Sequence, residues 1–175
     1  MRTSRLGHRF FRNRRGAAAV EFALVVPLVL AMIFATLEAG WFMVQSIMLD
    51  RAVDLTVREL RIGSFENPTQ ERLRARICEE ALVLINCEGS LALELVPIAN
   101  SSSYPTDASR CVQRNMAIQP VLRFNVGQRS EMVFVRACFI VDPMTPDFAL
   151  GLVLSKDETG ALRIVSRSAF INEPA

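Results

Sequence analysis

Arg14-Arg15-Gly16-Ala17-Ala18-Ala19-Val20-Glu21-Phe22 opens a long apolar segment, and the reading of the whole chain turns on it. Phe22 to Trp41 is interrupted only by Pro27, Thr36, Glu38 and Gly40. Twenty helical residues span roughly 30 Å, the thickness of a bilayer core. Trp41 and Phe42 fall where an interfacial aromatic anchor belongs. Six arginines, Arg2, Arg5, Arg9, Arg12, Arg14 and Arg15, precede Gly16 with no acid among them. The positive-inside rule therefore places residues 1–15 in the cytoplasm and the body of the chain outside the inner membrane.

A cleaved secretory signal has a shorter apolar core, with small residues after it. Here the run is longer, and the small residues come first. The arginine cluster does not read as a nucleic-acid patch. Topology accounts for its charge, and Phe10 and Phe11 are its only aromatics. Without the leader, the chain keeps 14 of its 20 basic residues against all 18 acidic ones, so the basic excess belongs to the leader.

Glu21 is the anomaly. A charge at the bilayer centre costs at least ~2.5–3.5 kcal/mol, and less near the interface. Glu21 lies about 9 Å along a helix from Arg15. Snorkelling to the headgroups or protonation would satisfy it. A sharper reading invokes cleavage between Gly16 and Ala17. That cut frees an α-amine and makes Glu21 the fifth mature residue. In a helical assembly, the amine of one subunit meets the Glu21 carboxylate of a neighbour, and the two charges cancel in a medium of low dielectric.

The pattern Arg-Arg-Gly-(x)4-Glu-Phe-Ala-Leu-(x)2-Pro-Leu resembles the N-terminus of TadE-like minor pseudopilins of tight-adherence (Flp) pilus systems. In that family a prepilin peptidase cuts after the glycine matching Gly16. The glutamate matching Glu21 serves recognition or assembly in related pilins, and Phe22 fits the same motif. Arg76-Ile77-Cys78-(x)8-Cys87 looks like the paired cysteines of TadE-like periplasmic regions. Ala169-Phe170-Ile171-Asn172-Glu173-Pro174 resembles their C-terminal Phe-Arg-Asn-Glu-Pro, with Ile171 in place of arginine. Val141-Asp142-Pro143-Met144-Thr145-Pro146 resembles a proline-bearing segment found there. Residues 99–120 match nothing usable. The resemblance implies a non-catalytic minor pseudopilin. Its partners are the inner membrane, a prepilin peptidase, other pilins or pseudopilins, and the pilus assembly platform. The alternative is a periplasmic scaffold or binding module held permanently by an uncleaved anchor.

Beyond the lipid the helical period continues. Val44, Ile47, Met48, Leu55 and Leu60 recur at helical spacing among charged residues, and Gly63 is a natural stop. The stripe serves the core of the body, a partner surface, or both. Asn67-Pro68 predicts the cap and first position of a second helix that ends near Asn86. Leu91 to Ile98 reads as a strand closed by Pro97. Val121 to Val126 and Met132 to Val141 read as a hairpin, Ala149 to Leu154 as a short helix, and Ala161 to Ile171 as the last strand. Asn100 to Pro105 is a loop by composition. The expected fold is α+β, a small antiparallel sheet with helical cover. The chain divides into a basic leader (1–16), a membrane helix (17–43), its extension (44–63) and an extracytoplasmic domain (64–175).

Cys78, Cys87, Cys111 and Cys138 all follow the span, and an even count in an oxidising compartment favours disulfides. Three pairings are possible; the preferred one is Cys78–Cys87 with Cys111–Cys138. The first requires Cys87 to lie past the helix end, because nine helical residues would separate the α-carbons by ~13 Å. Reduced, buried cysteines are the alternative. No Cys-x-x-Cys occurs, and the single histidine, His8, lies in the leader, so zinc and histidine-based catalysis are not expected. No phosphate-binding glycine motif is present. The pairs Glu79-Glu80 and Asp157-Glu158 read as solvated surface. No cofactor, metal or nucleic acid is expected.

Overall fold

The structure is a computed structural model that describes residues 16–99, 111, 122–146, 150–157 and 159–173. Helix α1, Ala17–Arg61, runs for 45 residues without a break, about 67 Å at 1.5 Å per residue. Pro27 sits inside it, within the expected span, where a helix tolerates proline. The helix stops as its glycine predicts. Gly63 takes φ 69°, and the N–H groups of Ile62, Gly63 and Ser64 return to the carbonyls of Arg58, Leu60 and Glu59.

The buried face of α1 is not the predicted one. Leu60 is buried, and Met48 and Leu55 are half-buried, but Val44 and Ile47 are exposed. The buried line runs through Glu38, Gln45, Leu49, Ala52, Val53, Thr56, Val57 and Leu60. The difference has a physical cause. Small Ala52 and Thr56 admit a close neighbour, and the Thr56 hydroxyl is satisfied within the helix by the Ala52 carbonyl at 2.9 Å.

Helix α2, Gln70–Glu80, begins later and ends sooner than the sequence suggests. Asn67 adopts left-handed φ 50°, a conformation its short polar side chain tolerates. Thr69 is the cap instead, its hydroxyl accepting from the Arg72 N–H at 3.3 Å. After Glu80 the chain turns through Asn86, also left-handed, into the four-residue helix α3, Cys87–Ser90.

Strands β1 (Leu91–Ile98), β2 (Met132–Val141) and β3 (Leu162–Ile171) form an antiparallel sheet in that order. The α+β expectation therefore stands. Pro97 does not close β1; it pairs with Val133 within it. An edge strand tolerates a proline because one side of its backbone needs no donor. The predicted hairpin is also absent. β2 pairs with β1 and β3, while Phe124 makes a single parallel bridge to Leu95. Leu95 N–H donates to the Arg123 carbonyl at 2.9 Å, and Asn125 N–H to the Leu95 carbonyl at 3.0 Å. This segment thus covers part of the free edge of β1. A last short helix, α4, is Leu150–Val153. The predicted Asn100–Pro105 loop, Val121 and Ala149 lie outside the described residues.

One face of the sheet packs on α1. Leu91, Leu93, Leu95, Val133, Val135, Ala137 and Phe139 meet Leu49, Val53, Val57 and Leu60 in one apolar cluster. Alternation sends Ala92, Glu94, Arg136, Cys138 and Ile140 to the other face. There Glu94 and Arg136, register partners across β1 and β2, form a buried ion pair that Arg123 joins at 3.1 Å. Cys111 and Leu122 close over the same face.

Candidate assembly site on the long helix

Gly16 stands at the N-cap with φ −92° and ψ −8°, and no side chain caps the helix start. Ala17, Glu21 and Phe22 all lie in the first part of α1, and all are exposed. Glu21 makes no hydrogen bond or ion pair with any described residue. The helix therefore holds Gly16, Ala17, Glu21 and Phe22 within two turns, on a part of the helix that is exposed throughout. A backbone α-amine at Ala17 would begin this same helix. Glu21 lies one turn further on, able to meet a charge from outside the chain.

Glu38 is the opposite case, and sequence reasoning missed it. It lies in the last turn of the expected span, yet it is 1 % exposed. Its two carboxylate oxygens accept from Thr145, one from the backbone N–H at 3.0 Å and one from the hydroxyl at 2.6 Å. The proline-bearing segment 141–146 is thus fixed to the top of the span. A second carboxylate in an apolar run was the available signal. Its partner, 107 positions away in the sequence, was not legible.

The C-terminal segment is also tied to α1. Asn172 exchanges backbone hydrogen bonds with Ser130 and Glu131, and Glu173 donates its N–H to the Arg61 carbonyl at 3.2 Å. The Arg61 guanidinium pairs in turn with the Glu173 carboxylate. Cys78 joins Cys87, which lies beyond the end of α2, with α-carbons 5.6 Å apart. Cys111 joins Cys138 with α-carbons 5.4 Å apart.

Between α1 and α2, Arg76 faces Glu59 with two guanidinium nitrogens, at 2.8 and 3.2 Å. It also reaches Glu79 and Glu80 at 3.2 and 2.7 Å, so these acids belong to an ion-pair cluster. The Arg76 hydrogen bonds hold the Glu59 carboxyl below its ordinary value despite partial burial. At the foot of β3, burial raises the Asp157 carboxyl, but hydrogen bonds from Thr159 and Ala161 outweigh it and the net shift is downward. Among the described residues, no three His, Cys, Asp or Glu side chains are placed to hold a metal ion.

Among the described residues one helix, α1, is long and apolar enough to cross a membrane. Its apolar side chains from Val20 to Leu37 are largely exposed, which suggests membrane anchoring. Neither the curated proteins nor the solved structures give a match. Residues 16–58 match the family model described as TadE-like protein. Over the segment that carries Gly16, Glu21 and Glu38 the chain is TadE-like, consistent with a TadE-like protein of the Tad/Flp pilus system.

Proposed function

We propose that this chain is a non-catalytic minor pseudopilin that takes part in tight-adherence (Flp) pilus biogenesis at the inner membrane. The family match supports a pilus-associated role. The observation that carries the finer reading is the placement of Glu21, an exposed carboxylate with no partner among the described residues, on an apolar helix one turn beyond Ala17. A lone charge in lipid is costly, and a neighbouring subunit's amine removes that cost. On this reading a prepilin peptidase recognises Gly16, Glu21 and Phe22 and cuts before Ala17. The freed amine then licenses assembly, because the uncut chain has no such group there. The C-terminal body lies in the periplasm, and pilins, pseudopilins and the assembly platform are the partners.

The mature N-terminus tests this directly. Mass spectrometry of the protein from piliated cells is expected to find Ala17 first, and only when the prepilin peptidase is present. An intact N-terminus at Met1 or Arg2 in such cells overturns the reading and favours a permanent anchor.

A further inference from the structure

The head does not begin at a distance from the span. From Ala17 to Leu37 α1 covers 21 positions, which at 1.5 Å each is about 30 Å, one hydrocarbon core. The residue that follows is Glu38, the first on α1 to be buried by the rest of the chain. Phe34, one turn below Glu38 on the same face, is exposed. The segment that grips Glu38 through Thr145 therefore sits directly above a lipid-facing side chain.

That segment exposes Asp142, Met144 and Pro146, and of these Met144 is the large apolar side chain. Met144, next to Thr145, is 65 % exposed; Leu152 and Val153 on α4 are 67 % and 80 % exposed. α4 is held at the same level. Gly151 lies so close to the Thr145 carbonyl that an added Cβ would sit 2.0 Å from it, and Leu154 borders Ala39 and Phe42 of α1. Lys156 Nζ, donating to the Pro146 carbonyl at 2.6 Å, marks the polar side of the patch. Water is a poor partner for three such side chains together, and the headgroup–acyl boundary suits an apolar face with a lysine beside it.

We propose that residues 142–146 and α4 form a second membrane contact. Met144, Leu152 and Val153 enter the leaflet at the Glu38 end of α1, and the Glu38–Thr145 bonds fix their depth. The head then rests on the bilayer rather than standing clear of it. This inference rests on the reading that α1 spans the membrane, and its test separates the two.

The full chain with Trp41→Phe, so that a single tryptophan reports, is reconstituted in phosphatidylcholine vesicles that carry bromines at both shallow and deep acyl positions. Reporters are placed singly as Leu28→Trp, Ile62→Trp, Leu152→Trp and Val153→Trp. Leu28 lies within the span, and Ile62 caps the far end of α1. Leu152→Trp and Val153→Trp are expected to lose most of their fluorescence, as Leu28→Trp does, while Ile62→Trp keeps its emission. If Leu28→Trp is quenched but both α4 reporters behave like Ile62→Trp, the second contact is overturned and the span survives. If Leu28→Trp also escapes quenching, the span reading fails and the second contact fails with it.

Discussion

Two glutamates share one apolar helix and meet opposite fates. Glu21 is exposed and has no partner among the described residues, whereas Glu38 is buried and accepts twice from Thr145. The difference decides what each substitution should do to the isolated protein. Glu38→Ala takes a charged acceptor from the half-buried Thr145 N–H and hydroxyl, which costs about 1–3 kcal/mol. Glu21→Ala removes no contact with any described residue. Thermal unfolding in detergent, followed by circular dichroism, is expected to show a lower midpoint for Glu38→Ala and an unchanged one for Glu21→Ala. The same contrast explains why one glutamate could be read from the sequence and the other could not. Glu21 is anomalous in its immediate neighbourhood, next to Gly16 and the alanines. Glu38 becomes meaningful only when Thr145 arrives from the far end of the chain.

At the scale of elements, α2 is clamped to α1 by Arg76 and Glu59. The Glu59 carboxyl is held below its ordinary value by Arg76. A depressed carboxyl contributes stability that is fully present above its unfolded pKa and is lost as pH falls through the folded one. Arg76→Ala is therefore expected to lower stability at neutral pH by no more than about 1 kcal/mol, since the pair is partly solvated. The difference from the unsubstituted protein should close as the pH drops through the carboxylate range, read from denaturation midpoints across pH.

Elements with strong local signals were legible. The length of α1 follows from an unbroken run that ends at Gly63, and the extents of β1 and β3 follow from alternation and flanking turns. Signals that depend on distant pairing misled. Val121 to Val126 alternates like a strand, but β2 had two better partners, and the described part of this segment makes one parallel bridge to β1, at Phe124. Asn67-Pro68 looked like a helix start, yet Asn67 is left-handed rather than in the extended conformation of a cap, and Thr69 took over. The stripe Val44–Ile47 was apolar enough to predict burial. The face that is buried is instead the one with Ala52 and Thr56.

For the whole molecule, each disulfide serves a different part of the body. Cys78–Cys87 ties the end of α2 to α3, while Cys111–Cys138 fastens a distant segment over the sheet face that α1 does not cover. In the chain-entropy account a crosslink gains with the length of chain it closes, about 3 kcal/mol for a short loop and somewhat more for a longer one. The sequence separations are 9 and 27. Replacing Cys111 and Cys138 by serine is expected to lower the unfolding midpoint more than replacing Cys78 and Cys87, measured on the full chain in detergent. The buried Glu94–Arg136 pair lies on that same covered face. Loosening the cover would admit water to charges that are now shielded.

The unbroken course of α1 has a mechanical consequence. No glycine turn or proline lies between Leu37, where the exposed apolar stretch ends, and Arg61, where the C-terminal segment is tied on. Span and head are thus one shaft without a universal joint. A tilt of the buried end swings the head through the same angle, and a twist about the helix axis turns it by the same amount. A pull on the head is delivered straight into the exposed apolar half of the helix, so drawing out that half and reorienting the outer surface would be a single motion.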